Sequence, residues 1–273
     1  MKFTNLTYLI IAIVIIGCNN MSYSPYAFDP NSNLYNLNES SIERINTHIF
    51  TPSDTISFIL LGDVQNFYDE TFDIVQFINE TEDVDFLIQD GDFTDFGTEA
   101  EFQEMNNILS GLEVPYLTVL GNHDCIANGV HIYKRMFGSL NYSFIVNRLK
   151  FVFINTNSRE FNFNGSAPDI EWLEKELMPD TSFDYAVVTC HVPPVSFDFD
   201  KNLYKDFIES LSENSNVLME LNGHRHGYNY SEFNEVPYIN SISADEKSYI
   251  RINICKNKFS HEVIYTDNLN SNI

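Results

Sequence analysis

From Thr55 onward the chain alternates short apolar runs with segments whose apolar residues recur three and four positions apart. Residues 56–61 (ISFILL) read as a buried strand that stops at Gly62-Asp63. Residues 69–81 place Phe72, Val75 and Ile78 at helical spacing, and 84–89 (VDFLIQ) form a strand ending at Asp90-Gly91-Asp92. Residues 98–112 set Phe102, Met105, Ile108 and Leu109 on one helical face, before a strand over 115–120 that runs into Gly121-Asn122-His123-Asp124. This β-α-β-α-β order predicts a sheet of parallel strands, in which ligands gather at the carboxyl ends. The second half predicts a hairpin of 142–146 and 149–155 across Asn147-Arg148. A helix over 168–177 and a strand over 185–189 follow, the strand ending at Cys190-His191. A helix near 202–212 then leads to a strand over 217–221 that ends at Asn222-Gly223-His224-Arg225-His226. Segments 238–243, 248–254 and 258–265 are expected to form one antiparallel set.

The N-terminus follows a different pattern. Residues 6–16 (LTYLIIAIVII) are an apolar run behind Lys2, too short for an ordinary membrane span and suited to the core of a secretory signal. Ile15-Ile16-Gly17-Cys18 resembles the bacterial lipoprotein signal, where cleavage exposes a cysteine for lipidation. A signal anchor and an ordinary secretory signal are the alternatives. The expected organisation is a signal peptide over 1–17, a tether over 18–52 with a short ordered patch around 42–49, one domain over 53–267 and a tail over 268–273. The expected location is extracytoplasmic, lipid-anchored to a bacterial membrane through Cys18.

Charge narrows the partners. With 15 Lys+Arg against 39 Asp+Glu, the net charge is −24. Nucleic-acid affinity comes largely from cationic side chains on phosphates, so a nucleic-acid partner is not expected. The same deficit rules against a membrane held by surface charge, leaving the lipid as the attachment. Four cysteines without a CxxC pair make neither a disulfide framework nor a zinc ribbon. Cys125 and Cys190 stand beside polar motifs as inert thiols, as a disulfide between neighbouring loops, or as redox-sensitive groups.

Five successive strand ends carry Asp63 and Gln65, Asp92, Asn122 and His123, His191, and His224 and His226. Carboxylate, amide and imidazole donors converging on one rim are a ligand set for Mn, Fe or Zn. A glycine precedes Asp63, Asp92, Asn122 and His224, where the backbone has to turn sharply.

These motifs resemble the calcineurin-like metallophosphoesterases, whose pattern runs D-x-H, G-D, G-N-H-D/E, a strand-end His, then G-H-x-H. The resemblance covers residues 55 to 265 and implies an α/β fold of two facing mixed β-sheets flanked by helices, in four α/β/β/α layers. It implies two metal ions, Mn, Fe or Zn with Mn or Fe favoured. Asp63 and His226 would hold the first, Asp92 would bridge, and Asn122, His191 and His224 would hold the second. His123 would touch the substrate, as a general acid or as a charge on the developing phosphoryl group, and Asp124 would orient it. The implied activity is hydrolysis of small phosphoric esters by a water activated between two cations. Position 65 departs from the pattern, with Gln65 where the family has His. Its amide oxygen either completes the first metal site as a weaker donor or contacts substrate. That departure motivates the alternative of a metal-binding lipoprotein with weak or lost catalysis.

Overall fold

The strands of the first half carry large apolar side chains on both faces, so each face needs its own cover. The computed structural model describes residues 33–48, 50–51 and 54–266. Among these, β1 (Ile56–Leu61), β2 (Phe86–Gln89) and β3 (Tyr116–Thr118) run parallel, linked through α2 (Tyr68–Asn79) and α3 (Glu99–Leu109). β10 (Ser248–Cys255) pairs antiparallel with β1, and β11 (Lys258–Tyr265) pairs with β10, giving the order β11-β10-β1-β2-β3. The second sheet holds β4 (Tyr142–Val146), β5 (Leu149–Phe153), β6 (Tyr185–Thr189), β7 (Val217–Asn222), β8 (Asn229–Phe233) and β9 (Val236–Asn240), in the order β4-β5-β6-β7-β9-β8.

The sheets bury one face against each other. Phe58 and Phe86 stack at 5.3 Å between ring centroids, and Phe151 from the opposite sheet meets both edge-on at 5.4 and 5.2 Å. Leu60, Ile88, Met219, Leu221 and Ile252 fill the same layer. The outer face of the first sheet (Ile59, Leu61, Leu87) packs on α2, α3 and α4 (Gly129–Met136) through Ile74, Phe102, Met105 and Tyr133. The outer face of the second sheet (Val152, Ala186, Val188) packs on α5 (Ile170–Leu177) and α6 (Tyr204–Ser212) through Leu173, Leu177 and Phe207. Each such side chain contributes about 1.5–3 kcal/mol by leaving water. The result is the four-layer α/β/β/α arrangement that the resemblance implied.

Local chemistry explains the boundaries. Thr98 and Glu101 form a reciprocal capping box that starts α3. Asn147 and Arg148 sit at φ 46 and 65, the left-handed pair that a two-residue hairpin turn needs.

Three features differ from the sequence reading. Strands β9, β10 and β11 are not one antiparallel set: β9 lies parallel to β7, while β10 and β11 cross to the first sheet. The crossing puts Ile250, Ile252 and Ile254 into the layer between the sheets. β8, an exposed, polar edge strand, and α4, a helix of only eight residues, are absent from the sequence reading. The third difference is the extent of α1 (Leu37–Thr47): within the expected tether the ordered patch read around 42–49 begins earlier and belongs to the body. Ile45 enters the core, and Asn38 behaves as a surrogate strand: its Oδ1 accepts from the Thr118 amide at 3.0 Å and its Nδ2 donates to the Thr118 carbonyl at 3.2 Å. α1 therefore covers the open edge of β3, an edge that would otherwise present unpaired backbone. The expected signal peptide, Cys18 and the tail over 268–273 lie outside the described residues. Among the described residues no helix is long and apolar enough to cross a membrane.

Replacing Asn38 with Ala should strand the buried Thr118 amide and lower stability by about 1–3 kcal/mol in urea unfolding. A midpoint equal to the parent's means that α1 does not seal β3.

Candidate metal centre

The ends of β1, β2 and β3 meet through backbone bonds, since the amides of Val64 and Gln65 both donate to the Asp92 carbonyl, at 3.2 and 3.1 Å. This brings Asp63 beside Asp92. Gly91 has φ 105, and a side chain there would run into His191, so the turn requires glycine. At Gly121 a Cβ would overlap the Asp92 backbone. Asp92, His224 and His226 themselves take left-handed backbone, at φ 53, 71 and 58. Strain of this kind persists only where surrounding contacts enforce it, and here it falls on three side chains that converge.

Asp92 stands at the middle. Its Oδ1 accepts from the His123 amide at 2.9 Å, and its Oδ2 lies 3.3 Å from His191 Nε2. Asn122 Oδ1 lies 3.1 Å from His191 Nε2 and 2.8 Å from His224 Nδ1. On the other side, His226 Nε2 lies 3.7 Å from Asp63 Oδ1. Two groups result, Asp92 with His191 and His224, and Asp63 with Asp92 and His226, each with donor atoms within 4.8 Å of one another. Asp92 belongs to both.

Positive charge is scarce in this pocket. Asp63 is fully buried, and neither of its carboxylate oxygens has a hydrogen-bond partner. Burial pushes it up to about 6, the Asp92 charge adding to the rise. Burial and the Asp63 charge likewise raise Asp90 well above the carboxylate range. Burial also acts upward on Asp92, but His191 and then His123 outweigh it and hold it at about 2. Burial acts downward on His191, yet Asp92, Asp63 and Asp90 together lift it to about 10. Three buried acidic side chains thus meet only a few imidazoles, His191 foremost, a shortage of positive charge that a cation relieves. The unpartnered Asp63 oxygens and the mixed oxygen and nitrogen donors fit metal ions.

Gln65 is buried against this centre, with Nε2 3.5 Å from Asp92 Oδ2 and Oε1 without a partner. His123 stands at the mouth, its side chain 37% exposed. Its Nδ1 lies 3.0 Å from the Asp95 carbonyl and 3.6 Å from Asp95 Oδ1. Asp124, expected to orient His123, is engaged elsewhere. It accepts from the amides of Phe93, Thr94 and Gly121 and from the Thr94 hydroxyl, stapling the β2 and β3 ends together. Burial, helped by the Asp92 charge, pushes Asp124 up to about 6 despite these bonds. The neighbour of the His123 ring is instead Asp95, through its carbonyl with the carboxylate 3.6 Å away, and its one sequence signal was a carboxylate three positions after Asp92. Cys125 and Cys190 are free thiols, both pushed up by burial, so no disulfide joins these loops.

The Calcineurin-like phosphoesterase family model matches residues 56–228, more than half of the chain. The chain belongs to this family. Over 171 residues it is 25% identical to a 3',5'-cyclic-nucleotide phosphodiesterase of Nostoc sp., covering 59% of this chain and 63% of that one. The chain thus spans just under two thirds of that curated relative's length. Among solved structures, a dimetal phosphatase from Danio rerio superposes with a TM-score of 0.64 at 13% identity, over 77% of this chain and 96% of the other. A purple acid phosphatase from yellow lupin seeds gives a TM-score of 0.64 at 14% identity, over 80% and 53%. At such identities these structures establish the fold alone.

Behind the centre, Glu220 is fully buried, accepting from the Cys190 thiol at 2.8 Å and the Asn222 amide at 2.6 Å. Burial outweighs both bonds and pushes it up to about 7. A raised carboxyl favours the native state at low pH, fully below its unfolded value, and that contribution disappears as pH rises through about 7. Glu220→Gln removes the need to bury a charge, and Asn222 Oδ1, which has no partner, can turn to accept the new amide. The metal-free variant should exceed the parent at pH 8 by on the order of 2–3 kcal/mol and lose that advantage at pH 4. An equal loss of stability at both pH values in urea unfolding contradicts this.

Proposed function

We propose that this chain is a metal-dependent hydrolase of small phosphoric esters, acting on a phosphodiester. The observation that carries the reading is the pair of donor groups sharing Asp92 above the unpartnered Asp63 carboxylate. Asp63, Asp92 and His226 would hold one ion, and Asp92, Asn122, His191 and His224 the other. Gln65 Oε1, buried and unpaired, is the natural completion of the first set. Two cations, when bound, supply charge to the phosphate oxygens and acidify the attacking water. Neutral oxygen donors favour hard ions, so Mn or Fe is preferred over Zn.

The side chains contribute the rest. Asp95 ties Nδ1 of His123, leaving Nε2 free to protonate the departing oxygen. Asp124 fixes the loops that present His123 and Asp92. The rim is acidic, and Arg159, the cation on the loop after β5, is already paired with Glu160 and Asp198. A diester with one negative charge suits such a rim better than a dianionic monoester, and the similarity to a cyclic-nucleotide phosphodiesterase supports the same class. Export and lipidation at Cys18 are part of this proposal, supported by residues 6–18. Replacing Cys18 with Ala should abolish lipid on the mature N-terminus and release the protein from membrane fractions; unchanged fractionation favours a signal anchor.

Chelation should abolish diester hydrolysis and added Mn²⁺ should restore it. His123→Ala should lower kcat by about 10²–10⁴-fold with metal content unchanged, while Asp92→Ala should lose metal. Equal metal loss in both variants overturns the roles. Gln65→His should reach half activity at lower free Mn²⁺ than the parent, and Gln65→Ala at higher; coincident curves remove Gln65 from the ligand set. A wild-type chain that binds two ions and turns over no phosphoric ester supports the binding lipoprotein instead.

A further inference from the structure

Both histidines assigned to the second ion need their outward nitrogens held. For His191 the holder is the Asp90 carbonyl, 2.9 Å from Nδ1. For His224 it is a carboxylate from a loop outside the family pattern: Asp198 Oδ2 lies 3.1 Å from His224 Nε2, while Nδ1 faces Asn122. Asp198 is held in turn. Its Oδ1 accepts from Arg159 Nη1 at 2.9 Å, and its carbonyl accepts from the Arg159 amide at 3.1 Å. The loop carrying Asp198 is pinned on its far side by Phe199, 1% exposed and packed edge-on against Phe207 at 5.3 Å. Asp200, 3% exposed, accepts from the Asn202 amide at 2.9 Å and anchors the turn into α6. Alternation along this stretch therefore separates the duties, with Asp198 toward the centre and Phe199 and Asp200 toward the fold.

We propose that Asp198, braced by Arg159, is the positioning residue of His224, fixing the ring so that its Nδ1 lone pair faces the second ion. The inference rests on the reading of His224 as a ligand. A carboxylate accepting the outer N–H of an imidazole selects the tautomer, locks the ring and strengthens the inner nitrogen as a donor, an effect worth 10–100-fold in metal affinity where it is removed. The need for a side-chain brace is greater at His224. His191 is walled in by the protein, whereas the His224 side chain is 16% exposed and sits on left-handed backbone, so the fold alone leaves its ring freer to turn.

The test compares the parent with Asp198→Asn, Arg159→Gln and, as a control from the same loop, Asp200→Asn. In the metal-free protein, ¹⁵N-detected imidazole shifts should report His224 with its proton on Nε2, and Asp198→Asn should lose that preference. Mn²⁺ titration should show the second ion bound about 10–100-fold more weakly in Asp198→Asn, with the first unchanged, and a smaller loss in the same direction for Arg159→Gln. The exchange-coupled two-ion resonance should give way to a mononuclear signal at limiting Mn²⁺. Asp200→Asn should lower the melting temperature while leaving the Mn²⁺ isotherm alone. Coincident isotherms for parent and Asp198→Asn overturn the inference, as does an equal loss in Asp200→Asn. Should Asp198→Asn fail to fold, an unchanged isotherm in Arg159→Gln overturns it instead. A parent that takes up no Mn²⁺ overturns the metal reading and this inference with it, whereas coincident isotherms leave the metal reading standing.

Discussion

Three carboxylates, Asp63, Asp90 and Asp92, are buried together at the strand ends, and every other feature of the centre answers to that fact. Like charges out of water repel, and neither side-chain oxygen of Asp63 has a hydrogen-bond partner. Without metal, the protein offers only nearby imidazoles, His191 foremost, to offset them. The arrangement is costly as a structural core and sensible as a cation receptacle. Stability has been surrendered here for a local field that positive ions complete.

Holding that cluster demands unusual backbone. Asp92, His224 and His226 accept left-handed conformations, and Gly91 and Gly121 remove the side chains that would block the approach. The surrounding polar groups act as braces. Asp124 gathers three amides and a hydroxyl from the loops after β2 and β3, Asp95 ties His123, and Asp198 ties His224. Each brace links different strand ends of one sheet, while His191 beside Asp92 and His226 beside Asp63 join the two, so the centre depends also on the relative placement of the sheets. The thick aromatic layer of Phe58, Phe86 and Phe151 between the sheets sets that placement.

The charge of the body and the chemistry of the site point the same way. A net charge of −24 leaves few cations to recruit a polyanion, and Arg159 is spent on Glu160 and Asp198. Under the proposed function, bound ions would supply much of the positive charge that a substrate meets, which suits a small ester of low charge. Cys125, half-buried, and Cys190, buried, are free thiols, Cys190 serving as a hydrogen-bond donor to Glu220.

Much of this was written locally along the chain. Apolar periodicity located β1, β2, β3 and their helices to within a few residues, because strand and helix spacing are properties of neighbouring positions. The motifs at Asp63, Asp92, Asn122, His191, His224 and His226 were legible for a related reason: each is a short run at the end of one strand, and parallel strands bring their ends to a common rim. Residues separated by long stretches of chain were not legible. Asp95 meets His123 across 28 positions, and Asn38 meets Thr118 across 80. The Asp198 contact with His224 depends likewise on a loop with no periodic pattern. Nothing local distinguishes Asp95 from Asp124, or Asp198 from Asp200, as partners for a histidine. The crossing of β10 to the first sheet was hidden too, since an apolar strand fits either sheet until the facing layer is in place. Local pattern determined the elements and the donors; tertiary structure, which folds distant loops onto one another, decided which group holds which ring.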